Sequence, residues 1–111
     1  MSEVAATDLR VVMQHVGSVL SFVEQKYPPL QNVAFGSSGH FKFAVNHSLK
    51  HMAKTTGALA AVCEAVDHGG TMDIAKLREA AVKMTITALN LAHVLGMSAE
   101  DLREAIYKEV K

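Results

Sequence analysis

Two histidines at helical spacing are the first residues in this sequence that could do chemistry. His47 and His51 are four residues apart, so a helix places both imidazoles on one face, where they could hold a metal ion. Such a site requires a third ligand. Cys63 lies about three turns further along the same helix, and His93 could approach from another helix. A chain with six histidines produces such a pair easily by chance, so we predict no metal site and keep His47 and His51 as the only candidates.

Two lysines interrupt helices that are otherwise mostly apolar. Lys54 and Lys83 could lay their aliphatic stems along a helical bundle while their ammonium groups reach water. Alternatively, the two ammonium groups could form a positively charged pocket for an anionic ligand. The other residues that could line such a pocket are Thr55, Thr87 and Asn90. These five residues are the predicted ligand-binding set.

Sequence motifs for phosphate and acyl-transfer chemistry are missing from the chain. It contains neither a glycine-rich phosphate loop followed by Lys and Ser or Thr, nor a Gly-x-Ser-x-Gly elbow. Carboxylates do not cluster in the long helices predicted around the lysines, because Glu64, Asp67, Asp73 and Glu79 lie near helix ends or singly. We therefore predict no catalytic residue, and the pattern favours a protein that is not an enzyme.

The composition of the 111 residues predicts a single all-α domain. Half of the residues are hydrophobic but only six are aromatic, so small and aliphatic side chains supply most of the apolar mass. Such side chains favour helices that pack closely on other helices. The formal net charge is zero and the charges are scattered, which argues against a dedicated nucleic-acid-binding protein.

The single cysteine bears on the cellular compartment. Cys63 has no partner for an internal disulfide, which indicates a reducing environment. Its apolar neighbours Val62 and Ala65 predict a buried structural thiol rather than a nucleophile. No apolar run approaches the roughly 20 residues of a membrane span. We expect a cytoplasmic protein with neither a membrane nor a nucleic acid as partner.

Apolar residues at intervals of three and four predict four helices, at about residues 7–26, 41–67, 72–95 and 98–110. Prolines at 28 and 29 should end the first helix, and glycines at 69, 70 and 96 should end the second and third. The fourth helix should begin at Ser98, with a capping box completed by Asp101 and a hydrophobic staple between Met97 and Leu102.

The apolar stripes of these helices define the faces that we expect to be covered. The stripe of the second helix consists of Val45, Leu49, Met52, Thr56, Leu59, Cys63 and Val66. The stripe of the fourth helix consists of Leu102, Ile106 and Val110. The third helix carries one stripe of Ile74, Leu77, Ala81, Met84, Ala88, Leu91 and Leu95, and a second of Val82, Ile86 and Leu89. A helix that is apolar on two faces needs two partners. We therefore expect a homodimer or homotetramer that assembles through the long central helices.

Three segments from about residue 40 onward carry a family resemblance. They are the two phenylalanines Phe41 and Phe43, the run Lys54-Thr55-Thr56-Gly57-Ala58-Leu59, and the turn Leu91-Ala92-His93-Val94-Leu95-Gly96-Met97. Together they resemble the MazG-like nucleotide pyrophosphohydrolases. That family has aromatic residues before its second helix, a Glu-Glu-x-x-Gly-Glu-Leu-like core within it, and a Leu-Ala-x-x-Leu-Gly-Ile-type turn after the third. The resemblance implies a four-helix MazG-like bundle.

The resemblance also implies which residues would bind metal, and this sequence departs from the family there. The family's enzymes hold magnesium with carboxylates whose positions correspond to Lys54, Thr55, Ala58, Ala61, Ala80 and Lys83. None of these is an acid, and magnesium prefers oxygen ligands that include carboxylates. We therefore expect no cofactor and a non-catalytic protein that acts through self-association, a partner, or a nucleotide or other phosphate-bearing small molecule. The alternative is a magnesium-dependent pyrophosphohydrolase whose metal ligands have moved to Glu64, Asp67 or Glu79.

Overall fold

The structure is a computed structural model that describes the backbone of residues 2–110 and the side chains of residues 8–110. It consists of four α-helices with a short 3₁₀ turn at Pro28–Leu30, and no strand occurs among the described residues. The helices are α1 (Ser2–Val19), α2 (Ser38–Asp67), α3 (Ile74–Val94) and α4 (Ala99–Glu109). The all-α class predicted from the sequence is therefore confirmed.

The first helix ends earlier than the sequence predicts. We expected it to continue to Lys26, but α1 ends at Val19, and the chain then turns so that Phe22 is buried at 5% exposure. A side-chain hydrogen bond from Lys26 to the carbonyl of Val19 satisfies one of the last helical carbonyls. The apolar spacing at Leu20 and Val23 continues the helical pattern, but burial of Phe22 outweighs it.

The other helix ends follow from local chemistry. Ser37 caps α2, because its hydroxyl accepts a hydrogen bond from the amide of His40. The helix therefore begins at Ser38, three residues before the predicted position. Gly69 ends α2 with a φ of +88°, a conformation that glycine adopts without steric cost. Ser98 and Asp101 form the predicted capping box, with side-chain-to-amide distances of 3.0 and 3.1 Å. The predicted glycine end of α2 and the predicted capping box are confirmed, whereas the predicted start of α2 is not.

Two clusters of buried residues hold the helices together. The first joins α1, the C-terminal part of α3 and the start of α4, and it consists of Met13, Ala92 and Ala99 with Leu9, Leu89, Met97 and Leu102 around them. The second joins the segment after α1 to the start of α2, and it consists of Phe22, Leu30 and Ala44 with Tyr27, Val33, Phe43 and Val94 around them. The most extensive helix contact lies between α2 and α3, so this pair forms the body of the chain.

The face of α2 that is buried differs from the one predicted. The buried residues are Ala44, Ser48, Thr55 and Val62, each of which precedes a member of the predicted apolar stripe by one position. One residue corresponds to about 100° of rotation on a helix, so the apolar stripe of α2 lies to one side of its packed face. Leu49 is accordingly 51% exposed, and Cys63, which we expected to be buried, is exposed.

The predicted stripes of α3 and α4 are also only partly covered. Leu89 packs on the first cluster, so α1 and α4 provide the second partner that α3 requires. Val82, from the same stripe, is 59% exposed. In α4, Leu102 packs inward, whereas Ile106 and Val110 are exposed, because α4 contacts the rest of the chain mainly through α1.

The chain is more open than a typical domain of its size. Its radius of gyration is 16.7 Å and its principal dimensions are 50 × 41 × 22 Å. A compact chain of this length has a radius of gyration of about 13 Å. No single helix in residues 2–110 is both long and apolar enough to cross a membrane; α3 and α4 meet those criteria only together, and they are bent by 118° at their junction.

Candidate functional site

A cavity of about 620 Å³ lies between α2 and α3, and we call it the α2–α3 cavity. Its α2 wall consists of His47, Ser48, His51, Lys54, Thr55, Ala58 and Ala61. Its α3 wall consists of Lys76, Glu79, Ala80, Lys83, Ile86, Thr87 and Asn90. The segment that follows α1 adds Leu20, Phe22 and Tyr27. Two rigid helices therefore position most of the side chains.

All five residues of the predicted ligand-binding set line this one cavity. Lys54 and Thr55 reach it from α2, and Lys83, Thr87 and Asn90 reach it from α3. The two helices bring together residues that are some thirty positions apart in the sequence, because α2 packs along α3. Their role in ligand binding stays a prediction, but their convergence makes a single shared ligand geometrically possible.

The cavity carries more positive than negative charge. Lys76 joins Lys54 and Lys83, while Glu79 is the one carboxylate among the described lining residues. The ammonium of Lys83 lies 3.0 Å from the carboxylate of Glu79, and both side chains are more than half exposed. An exposed pair of this kind is worth less than about 1 kcal/mol, so an incoming anion can compete for the lysine. Within the described residues, neither Lys54 nor Lys76 forms an ion pair.

Buried polar side chains fix the floor of the cavity. Thr55 and Asn90 are both less than a tenth exposed. The amide Nδ2 of Asn90 lies 3.5 Å from the carbonyl of Leu20, which links α3 to the segment after α1. The hydroxyl of Thr87 donates to the carbonyl of Lys83 at 3.0 Å. These contacts hold the polar groups in place before any ligand arrives.

One end of the cavity is aromatic. Phe22 and Tyr27 have ring centroids 5.4 Å apart, and both lie against the imidazole of His47. His47 is also nearly parallel to Phe43, with an interplanar angle of 11°. Lys54 follows His47 by two helical turns, so the aromatic and cationic parts of the wall are separated by about 10 Å along α2. The cavity therefore offers stacking surfaces at one end and positive charge beyond it.

The two candidate metal ligands are adjacent. Nε2 of His47 lies 3.0 Å from Nε2 of His51. Burial lowers the pKa of His47 below its ordinary value, and the neighbouring His51 and Lys50 lower it further. The lowered pKa favours the neutral form of the His47 imidazole.

The third metal ligands considered from the sequence do not join this pair. Cys63 lies about 18 Å from His51 along α2, and His93 packs beside Gly17 of α1. Of the carboxylates considered for a relocated magnesium site, Glu79 lines the cavity, whereas Glu64 and Asp67 do not. Among residues 8–110, no group of three His, Cys, Asp or Glu side chains is arranged to hold a metal ion.

The positions that the MazG resemblance assigns to metal-binding carboxylates share this cavity. They are Lys54, Thr55, Ala58, Ala61, Ala80 and Lys83. Sequence reasoning missed Lys76 and the aromatic end. Lys76 is seven residues before Lys83, so helical periodicity could have placed it on the same face. Phe22 and Tyr27 gave no such signal, because their position depends on the turn after α1.

No known protein family, characterised protein or solved structure was found to match this chain. The functional interpretation therefore rests on the fold and on the chemistry of the α2–α3 cavity.

Proposed function

We propose that this chain is a non-catalytic, MazG-like helical protein that binds a small phosphate-bearing ligand in the α2–α3 cavity and self-associates. The observation that supports ligand binding most strongly is that Lys54, Lys76 and Lys83 all line one cavity, which has a single carboxylate among its described lining residues. Lysine ammonium groups bind phosphate as point charges. An excess of lysines therefore favours an anion over a cation.

The aromatic end of the cavity narrows the class of ligand to nucleotides. A nucleobase stacks on aromatic side chains, and such stacking is worth about 1–3 kcal/mol per base. With Phe22 and Tyr27 at one end and Lys54 about 10 Å further along α2, a base and its phosphates can be bound at once. A simple phosphate would use only the cationic part.

The alternative function is magnesium-dependent hydrolysis of a nucleoside triphosphate. Glu79 favours it, because this carboxylate lines the cavity. A magnesium site for a triphosphate needs further carboxylates, and Glu64 and Asp67 lie outside the cavity lining. Lys83 also pairs with Glu79 and opposes binding of a cation there. We therefore propose that the ligand is bound and not hydrolysed.

Self-association is supported by apolar side chains that the isolated chain leaves exposed. On α2, Leu49 and Cys63 belong to the stripe that lies beside the packed face, and Ile74 and Val82 are exposed on α3. Exposed apolar side chains that adjoin one another mark interaction sites. The zero net charge of the chain does not oppose pairing with a second copy. We assign the dimer contact to these exposed side chains, which we call the apolar flank. It consists of Leu49 and Cys63 on α2 and of Ile74 and Val82 on α3.

A thermal-shift screen tests the proposed ligand class. The protein is heated with nucleosides, nucleoside di- and triphosphates, or pyrophosphate, each with EDTA and with magnesium. A ligand at 100 times its Kd stabilises the native state by about 2.7 kcal/mol, which a chain of this size reports as a clear rise in Tm. In EDTA, where magnesium is absent, we expect the largest rise in Tm with nucleotides, a smaller rise with pyrophosphate and little rise with nucleosides. A rise that requires magnesium would instead support the alternative, and no rise with any phosphate compound would exclude the proposal.

A further inference from the structure

The imidazoles of His47 and His51 approach each other at the distance that two ligands of one metal ion adopt. Their Nε2 atoms are 3.0 Å apart. Two nitrogens that each lie about 2.0–2.1 Å from a tetrahedral zinc ion are separated by about 3.3 Å. A small rotation of the exposed His51 ring is enough to reach that separation.

The ring of His47 is held in place by its neighbours. It stacks on Phe43 and meets Tyr27 edge-on, with ring centroids 5.6 and 4.8 Å away. Packing of this kind limits the rotamers of a ligand before the ion binds, which lowers the cost of forming the site. One ligand of the pair is therefore held by packing, whereas the other is exposed.

From this juxtaposition we propose that His47 and His51 together bind a divalent transition-metal ion, with Zn²⁺ as the probe, through their two Nε2 atoms. Imidazole nitrogen suits zinc, copper and nickel, whereas magnesium prefers oxygen. The site is thus chemically different from the carboxylate magnesium site that the MazG resemblance implies. It lies in the same cavity as the proposed nucleotide, but its ligands are the two imidazoles and not the lysines.

Two imidazoles leave further coordination positions of the ion open. No third His, Cys, Asp or Glu among residues 8–110 completes the set. Both histidines line the α2–α3 cavity, so the third ligand that such a site requires would be a water molecule or an anionic oxygen in that cavity.

Isothermal titration calorimetry with zinc chloride, in a buffer free of phosphate and nucleotide, tests this site. The main variant is His51→Ala, since His51 is exposed and its loss leaves the contacts of His47 with Tyr27 and Phe43 in place. The matched control is His68→Ala, because His68 is exposed at the end of the same helix. A second measurement follows the imidazole resonances of all six histidines by NMR as zinc is added.

We expect one zinc ion per chain and a Kd at least about tenfold weaker in His51→Ala than in His68→Ala. The resonances of His47 and His51 should shift together, and those of the other histidines should shift less. Equal affinity in the two variants, zinc-induced shifts spread over all histidines, or no zinc binding in the wild-type protein would each overturn the proposal. In that case the short distance reflects only a hydrogen bond between the two imidazoles.

Discussion

The ammonium Nζ of Lys83 lies 3.0 Å from Oε1 of Glu79, one turn earlier on α3. The one carboxylate among the described residues of the α2–α3 cavity is therefore paired with one of its three lysines. In the absence of a ligand this pair offsets part of the positive charge. A bound phosphate must compete with Glu79 for Lys83, so the carboxylate opposes the binding that we propose.

Glu79→Gln should therefore strengthen binding of a phosphate-bearing ligand. Because the pair is exposed and an exposed ion pair contributes less than about 1 kcal/mol, we expect the Kd to fall by only about two- to threefold at low salt. Calorimetry with the ligand found in the thermal-shift screen measures this. Glu64→Gln is the control, since Glu64 is exposed on α2 outside the cavity lining. Weaker binding in Glu79→Gln would mean that Glu79 helps to hold the ligand, as a metal ligand would.

The protein should not release pyrophosphate from nucleoside triphosphates when magnesium or manganese is present. The cavity positions that the MazG resemblance assigns to carboxylates carry lysine, threonine and alanine, which cannot gather these ions around a triphosphate. A pyrophosphate-release assay with each common nucleoside triphosphate measures this. Turnover that disappears in Glu79→Gln but persists in Glu64→Gln would show that the metal ligands have moved rather than vanished.

Replacing Leu49 by glutamate should convert a self-associated protein into a monomer. The charge would lie in the apolar flank of α2, where Leu49 is 51% exposed in the isolated chain. Sedimentation velocity at micromolar concentration compares the wild type with Leu49→Glu. Val110→Glu serves as a control, because it adds the same charge at the exposed residue that follows α4. The thiol of Cys63 should react with iodoacetamide faster in Leu49→Glu than in the wild type. A wild-type protein that sediments as a monomer would exclude this interface.

Ser98→Ala should lower the free energy of unfolding by about 1 kcal/mol, because it removes the side-chain acceptor of the capping box at α4. Chemical denaturation reports this change as a lower midpoint. Ser18→Ala, at an exposed position within α1, is the control and should change the midpoint little. Equal midpoints for the two variants would show that the cap contributes nothing to stability.

The sequence predicts well those features that depend only on residues close to one another along the chain. The capping box at Ser98 and the glycine ends after α2 and α3 were predictable, because each involves residues within one turn. The early end of α1 was not, since it follows from the burial of Phe22 against Leu30 and Ala44. The same holds for the buried face of α2. There, packing against α3 and against the segment after α1 buries Ala44, Ser48 and Thr55 instead of the more apolar stripe beside them.

The candidate site likewise contains residues that the sequence identifies and residues that only the tertiary structure brings in. Lys54 and Lys83 were identifiable because a charged residue within an apolar helix stands out, and long helices place such residues reliably. The aromatic end was not identifiable, because Phe22 and Tyr27 reach the cavity only through the turn after α1. The cationic half of the proposed nucleotide site thus follows from periodicity, whereas the stacking half depends on tertiary structure.

The most direct test of ligand binding by the cationic cavity is calorimetry in EDTA with a double variant, Lys54→Ala with Lys83→Ala. The matched control is Lys42→Ala with Arg78→Ala, which removes the same number of positive charges from exposed positions on the same two helices outside the cavity lining. We predict that the wild type and the control bind a nucleotide without magnesium, and that the cavity variant binds at least about tenfold more weakly. Equal affinity in the cavity variant and the control, or no binding in the wild type, would contradict the account.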